Sequence, residues 1–497
     1  MPILTIRRGE TVKTVEFSGK TPLSILLDRA GESQAQPCGG RGVCGKCAVE
    51  LTGEVSPPNA QETALGKRLS CQAEVWGDAE AVLPERTGSW EIETAAAYTG
   101  ALRPMGGVLG LAVDIGTTTL AAQLYDLKTG KRLSEAARLN PQGVVAADVM
   151  GRIGAALDGK LTTLRDQVQD AIRELLQETC QKAARPEEDA DVLLLTGNTV
   201  MLYLLTGRDP ISLSRVPFLA DTLFGTETEL LGRRAYLPLC MNAFVGADIT
   251  CAVLASGMCE REETSLLCDI GTNGEIALWH RGTLYVTSTA AGPAFEGAGI
   301  SCGCGSAAGA IDRVWEEDGA VRFHTIGGAE PIGICGSGLI DATAVFLDRE
   351  DISCTGAIDP EGLPLGNLRL LPGDIRAVQL AKAAIASGIR LLLRQAGITA
   401  ADVSRFWIAG GFGNHLNLQS AAAIGLIPET LVPKARPLGN AALSGAAALL
   451  LDREQVEKTR KIVEKSQHVN LSGNPSFNDV YVSCMLFGDD DLDEIEE

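Results

Sequence analysis

The chain has no excess of basic charge. Lysine and arginine number 43 against 63 aspartates and glutamates, a formal charge of −20 over 497 residues. A general nucleic-acid binder carries a basic face, so that class is excluded, while a local basic patch for an acidic partner is not. No uninterrupted apolar run of about 18 residues occurs, so no membrane span is expected. Residues 1–20 alternate and carry charge, so no signal sequence is expected there. Aromatics are scarce at 4%, while glycine occurs 56 times, a pairing that suits many tight turns. The remaining composition, 45% hydrophobic and 21% charged, is that of a globular protein. A length of this order suggests about three or four domains.

Fourteen cysteines are present, and four of them form a set. Three lie in Cys38-Gly-Gly-Arg-Gly-Val-Cys44-Gly-Lys-Cys47 and the fourth is Cys71, a spacing of C-x5-C-x2-C-x23-C. Thiolates are soft ligands that suit iron–sulfur clusters and zinc. Zinc loops usually pair two short knuckles, and Cys71 has no Cys or His neighbour to make the second. Three cysteines in one loop with a distant fourth is the plant-type 2Fe-2S pattern, here with the first gap one residue longer. Glycines 39, 40, 42 and 45 let the backbone wrap closely and turn its amides toward the sulfurs. Cys38, Cys44, Cys47 and Cys71 are therefore expected to hold a 2Fe-2S cluster. Alternation predicts strands over 3–7 and 12–17, a helix over 22–30, and strands over 48–51, 73–75 and 81–83. Residues 1–84 resemble a ferredoxin domain of the ubiquitin-like β-grasp type. The other ten cysteines lie among apolar neighbours and read as buried thiols of a reducing cytoplasm. Cys302 and Cys304 are the pair to watch, as a contribution to a second cluster bridging two subunits.

Residues 85–106 have no consistent period and contain Pro104, which marks a linker. The alternative is a segment that docks on one domain through Trp90, Ile92 and Tyr98. Beyond it, Asp114-Ile-Gly116-Thr117-Thr118-Thr119 ends one buried strand and opens another. Asp269-Ile-Gly271-Thr272-Asn273-Gly274-Glu275 repeats the device about 155 residues later. Such a repeat suggests two related lobes facing each other, at 107–258 and 259–487, with an acidic tail over 488–497. Each turn can aim backbone N–H groups and hydroxyls at an anion. Each aspartate at a strand end can sit beside Mg²⁺, usually through water. Phe406-Trp-Ile-Ala-Gly410-Gly411-Phe-Gly413 is a buried strand running into a glycine turn. Glu296 could orient a water or the metal.

These residues resemble the two phosphate motifs and the adenosine motif of the superfamily of acetate kinases, sugar kinases, heat-shock chaperones and actin. The resemblance implies an α/β, two-lobed, ribonuclease H-like ATPase after the α+β ferredoxin domain. ATP and Mg²⁺ would lie at Asp114, Gly116, Thr117, Thr118, Asp269, Gly271, Thr272, Asn273 and Gly274, with Gly410, Gly411 and Gly413 lining the adenosine. Small residues at 248–255 and 441–447 would let two helices cross at the hinge.

A ferredoxin domain, a linker and such an ATPase, in that order, resemble the reductive activators of corrinoid proteins. The likeness covers nearly the whole chain. It implies an enzyme that passes one electron from the cluster to inactive Co(II) corrinoid with the help of ATP, regenerating Co(I) for methyl transfer. Its partners would be the corrinoid protein of a methyltransferase system and an external low-potential electron donor, and it would pair as a homodimer through the ATPase domain. The chain departs in length, the linker joining the ATPase directly where some relatives carry an extra middle domain. Two other readings are an ATP-driven donor to a 2-hydroxyacyl-CoA dehydratase, which would need Cys302 and Cys304 as cluster ligands, and a redox-sensing, actin-like ATP-binding module.

Overall fold

The computed structural model describes residues 1–9, 11–32, 34, 42, 47–84, 98–410, 416–471 and 473–488. The first 84 residues build a small sheet on one helix. Strands β1 (Ile3–Arg8) and β2 (Thr11–Glu16) form an antiparallel hairpin. Helix α1 (Leu23–Arg29) follows, then β3 (Ala48–Val55), α2 (Ala60–Leu65) and β4 (Glu74–Val82). The sheet runs β2-β1-β4-β3, with β1 and β4 parallel. Leu4 and Ile6 of β1 pack with Leu23, Leu26 and Leu27 of α1 and with Val49, Val75 and Ala81, so alternation on the strands meets one face of the helix.

The two strands expected at 73–75 and 81–83 are the single strand β4. Its alternation runs unbroken through Gly77 and Asp78, because that pair lies in the extended ladder and not in a turn. Helix α2 was not expected. Asn59 and Glu62 close a capping box around its first turn, and the Glu62 carboxylate also accepts from Leu69 N and pairs with Arg68 at 3.1 Å. That arrangement ties the chain just before Cys71.

The first lobe contains β5 (Leu109–Ile115), β6 (Thr119–Asp126), β7 (Arg132–Leu139), α3 (Val149–Ala155), α4 (Leu161–Lys182), β8 (Ala190–Gly197), α5 (Thr199–Thr206), β9 (Thr226–Leu230), β10 (Arg233–Leu237) and α6 (Ala247–Ser256). The second contains β11 (Ser265–Ile270), β12 (Gly274–His280), β13 (Thr283–Thr289), the hairpin β14 (Ala310–Glu317) and β15 (Ala320–Thr325), α7 (Gly336–Asp348), α8 (Pro372–Ala396), β16 (Arg405–Ala409), α9 (Leu418–Ala423), β17 (Ala435–Gly439), α10 (Ala441–Leu451), α11 (Gln455–Glu464) and β18 (Ser466–His468). Among the described residues the first sheet runs β9-β10-β8-β5-β6-β7 and the second β17-β16-β11-β12-β13-β18. In each, an antiparallel three-strand meander is joined on its first strand by two parallel strands. The internal repeat is thus a repeat of topology, and the fold is the two-lobed, actin-like α/β architecture.

Helices α6 and α10 cross between the sheets, where Ala252, Val253, Ala446 and Leu450 pack with Leu194 of the first sheet and Leu267 and Trp407 of the second. The approach is set by Gly445, where a Cβ would stand 2.0 Å from the Cys251 carbonyl oxygen. The segment expected to be a linker is docked in its second part. Tyr98 and Met105 pack on this same core, so of 85–106 only 85–97 falls outside the described residues. No helix among the described residues is long and apolar enough to cross a membrane.

Candidate functional site

The two repeated turns meet at the seam between the lobes. The turn after β5 is closed by Gly116 N donating to Thr119 O at 3.0 Å, and the turn after β11 by Gly271 N donating to Asn273 O at 3.2 Å. The amides of Thr117, Thr118, Thr272 and Asn273 take no acceptor among the described residues. Thr118 Oγ1 lies 3.1 Å from Thr272 Oγ1, and Thr272 Oγ1 donates to Glu296 Oε1 at 2.6 Å. Glu296 Oε2 is buried with no hydrogen-bond partner among the described residues. Unused amides and hydroxyls converging from two tight turns form the kind of nest that binds phosphate oxygens.

Acidic groups collect behind the turns. Asp114 and Asp269 are the next-to-last residues of β5 and β11; Asp248 stands in the first turn of α6. Glu275 sits directly across the β11–β12 ladder from Asp269. Like charges placed opposite one another destabilise a sheet, and the other carboxylates compound the effect. Burial raises Asp114 to about 6, against a hydrogen bond from Asn440 that works the other way. Burial, then the charges of Asp114 and Glu296, lifts Asp269 to about 7. Asp248 reaches about 8 through burial and the charges of Asp114 and Asp269. Glu275 is pushed well above the usual carboxylate range by burial and by Asp248 and Asp269. No lysine or arginine is among the main causes of these four shifts.

A desolvated group of acids without a resident cation fits a divalent metal. Among the described residues no three such groups converge tightly enough to ligate one ion directly, so Mg²⁺ would be held through water and phosphate, as it commonly is. The three expected acids, Asp114, Asp269 and Glu296, lie together with the expected turn residues. Gly410 follows β16 with φ +91°, and a Cβ there would stand 2.6 Å from Asp269 Oδ1; only glycine fits. Gly411 and Gly413 lie outside the described residues.

Four contributors were not foreseen in these roles. Besides Asp248, Asn440 donates to Asp114 Oδ2 at 3.0 Å. Asn198 caps α5 and donates to Thr117 Oγ1 at 3.3 Å. Arg152 is wholly buried and donates to the carbonyl of Thr117 at 2.6 Å, to that of Ala146 at 3.0 Å and to Gln142 Oε1 at 3.1 Å. Burial holds its guanidinium down to about 10. A strand ending in Thr196-Gly-Asn198 hints at the seam, but nothing local marks Arg152 or Asn440.

At the other end of the chain, the Sγ atoms of Cys47 and Cys71 approach to 3.2 Å. The contact with Cys71 brings the Cys47 thiol down to about 6, so it favours the thiolate a metal needs. Cys38 and Cys44 lie outside the described residues. Gly42 has φ +76°, and a Cβ there would press on Gln72, the neighbour of Cys71. These observations place Gly42 and Cys47 beside the Cys71 turn. Cys302 and Cys304 instead flank a short bridge to Ile334, whose N–H donates to Cys302 O and whose carbonyl accepts from Cys304 N, both at 2.8 Å. Among the described residues no group of three or more metal-ligating side chains includes them.

Residues 9–75 match the model of a 2Fe-2S iron-sulfur cluster binding domain, 109–261 the RACo middle region, and 263–497 the C-terminal ASKHA domain of RACo. The corrinoid activation enzyme RamQ of Eubacterium limosum is 34% identical, over 77% of this chain and 71% of that protein. The chain belongs to the RACo family. A second relative, the [Co(II) methylated amine-specific corrinoid protein] reductase of Methanosarcina barkeri, is 27% identical over 76% of each chain. A solved reductive activator for a corrinoid, iron-sulfur protein superposes with a TM-score of 0.73 at 27% identity, covering 98% of both chains. The RACo middle region falls on the first lobe, 109–261. The N-terminal domain is a 2Fe-2S domain, and residues 263–497 form the ATP-binding ASKHA domain.

Proposed function

We propose that this chain is an ATP-dependent reductive activator of a corrinoid protein. It takes one electron from an external low-potential donor and passes it to inactive Co(II) corrinoid, giving Co(I) for methyl transfer. One observation carries this reading: a 2Fe-2S domain and an ASKHA ATPase lie in one chain that superposes over 98% of its length on a solved corrinoid activator. The cluster, held by Cys38, Cys44, Cys47 and Cys71, supplies the one-electron step. The amides of Thr117, Thr118, Thr272 and Asn273 cradle the phosphates of ATP. Asp114 and Asp269 orient Mg²⁺ through water, with Asp248 and Glu275 adding negative field. Glu296, fixed by Thr272, orients the attacking water. Gly410, Gly411 and Gly413 line the adenosine. The work takes place in the cytoplasm, between two copies of the chain paired through the ATPase lobes.

ATP has a physical task here. A plant-type cluster sits at about −400 mV. An acceptor about 200–300 mV lower would make transfer cost roughly 5–7 kcal/mol, at about 2.3 kcal/mol per 100 mV. Nucleotide binding to the lobes offsets that cost only by favouring one state of the complex over another. The test is to mix the reduced holoprotein, MgATP and a Co(II) corrinoid protein and follow the Co(I) absorption band. Asp269→Ala should keep the cluster spectrum and lose the ATP-stimulated rise. Equal stimulation in that variant would show that the seam has no part in the reaction.

A further inference from the structure

Helix α10 has one end at the seam and the other at the docked segment that leads from the cluster domain. At its N-terminus Asn440 does two things at once. Its Oδ1 accepts from Leu443 N at 2.7 Å, capping the helix, and its Nδ2 donates to Asp114 Oδ2 at 3.0 Å. Twelve residues on, past an 11-residue helix about 16 Å long, the chain leaves α10 at Asp452. Asp452 is fully buried. Its carboxylate accepts from Arg103 Nε and Nη2, both at 2.9 Å, from Tyr98 Oη at 3.1 Å and from Gln455 Nε2 at 2.8 Å. Backbone bonds lock the same place: Arg103 N donates to Leu451 O and Arg453 N to Arg103 O, each at 2.9 Å. Between its ends α10 touches α6 at Gly445, and α6 carries Asp248 into the acid group.

A bidentate arginine–carboxylate pair with one partner buried is far stronger than a surface ion pair. Residues 98–105 are therefore held on α10, and the cluster domain is connected to that point by residues 85–97. Covalent geometry limits that connection to about 50 Å at full extension. Wherever the latch sits, the reach of the cluster is measured from it.

We propose that α10 is a strut between the nucleotide site and the anchor of the cluster domain, with Asn440 and Asp452 as its positioning residues. A change at Asp114 on nucleotide binding moves or tightens Asn440, α10 carries it as a rigid element, and the Asp452 latch on Tyr98 and Arg103 responds. This rests on the reading that the seam binds MgATP.

The test is amide hydrogen exchange on the full-length, cluster-loaded protein, with and without saturating MgATP, alongside calorimetry of MgATP binding. The amides of Arg103 and Arg453 should change their exchange rates at least about tenfold on adding MgATP, a change of the size one charge-assisted hydrogen bond supports. In Arg103→Gln both amides should exchange fast with or without nucleotide. Cluster absorption and basal ATP hydrolysis should match the wild type, while ATP stimulation of Co(II) reduction is lost. Asp452→Asn, which keeps the shape of the latch, should behave likewise if Arg103→Gln proves poorly folded. Calorimetric binding of MgATP with no change at either amide would overturn the strut and leave the nucleotide site standing. Full ATP stimulation in a folded latch variant would do the same. Absence of any MgATP binding to the wild type would overturn both.

Discussion

Thr118 and Thr272 share a hydrogen bond of 3.1 Å although they are 154 residues apart. Each is the hydroxyl of a phosphate-type turn, so the bond joins the lobes at the place where a nucleotide's phosphates would lie. Thr272 holds Glu296 with the same oxygen. Thr272→Val should therefore weaken ATP binding about tenfold, the worth of one or two such bonds. Calorimetry should read this while the cluster spectrum stays unchanged, and wild-type affinity would exclude a role for the hydroxyl.

The acid group makes binding and stability depend on pH. An unfolded aspartate titrates near 4, whereas Asp114, Asp269 and Asp248 titrate at about 6, 7 and 8 in the fold. From about pH 4 to pH 8 the folded chain holds more protons than the unfolded one, so these groups contribute less stability as pH rises. A divalent cation favours the carboxylates and opposes that loss. MgATP should raise the melting temperature more at pH 8 than at pH 6, and its binding should release protons. In Asp248→Asn the difference between pH 7 and 8 should shrink.

Arg152 supports the first turn from beneath. Arg152→Met keeps an unbranched side chain but leaves the carbonyls of Thr117 and Ala146 without their donor, at about 1–3 kcal/mol for each buried group. We expect a lower melting temperature and a raised KM for ATP. A lowered temperature with unchanged KM would make Arg152 a packing residue alone.

Gly445→Ala places a methyl 2.0 Å from the Cys251 oxygen. Two helices must then separate, at a typical overpacking cost of about 1–3 kcal/mol or more. Thermal unfolding of the purified protein checks this, and an unchanged melting temperature would mean the crossing is loose.

Cys47→Ala should abolish the visible absorption of the cluster and its two irons, measured after anaerobic purification. Cys180→Ala, deep in the first lobe core, should keep both. Zinc in the wild type, without a visible chromophore, would reject the iron–sulfur assignment.

The sequence by itself determined what is local. A strand that stops at Asp-Ile-Gly-Thr is legible because the turn, its amides and its aspartate lie within a few residues. The repeat is legible because both lobes fold by the same short device, and the glycine-rich cysteine loop carries its ligand types with it. Alternation gave two short strands, 73–75 and 81–83, where the fold has the single strand β4. Tertiary structure decided what is distant. Asn440 meets Asp114 across 326 residues and Tyr98 meets Asp452 across 354, distances over which no periodicity or spacing constrains a pair. Asp248 looks like any carboxylate in a helix's first turn until the crossing of α6 and α10 carries it among Asp114, Asp269 and Glu275. Their raised pKa values follow from that shared burial, because charge repulsion and desolvation depend on proximity in space and not on position along the chain.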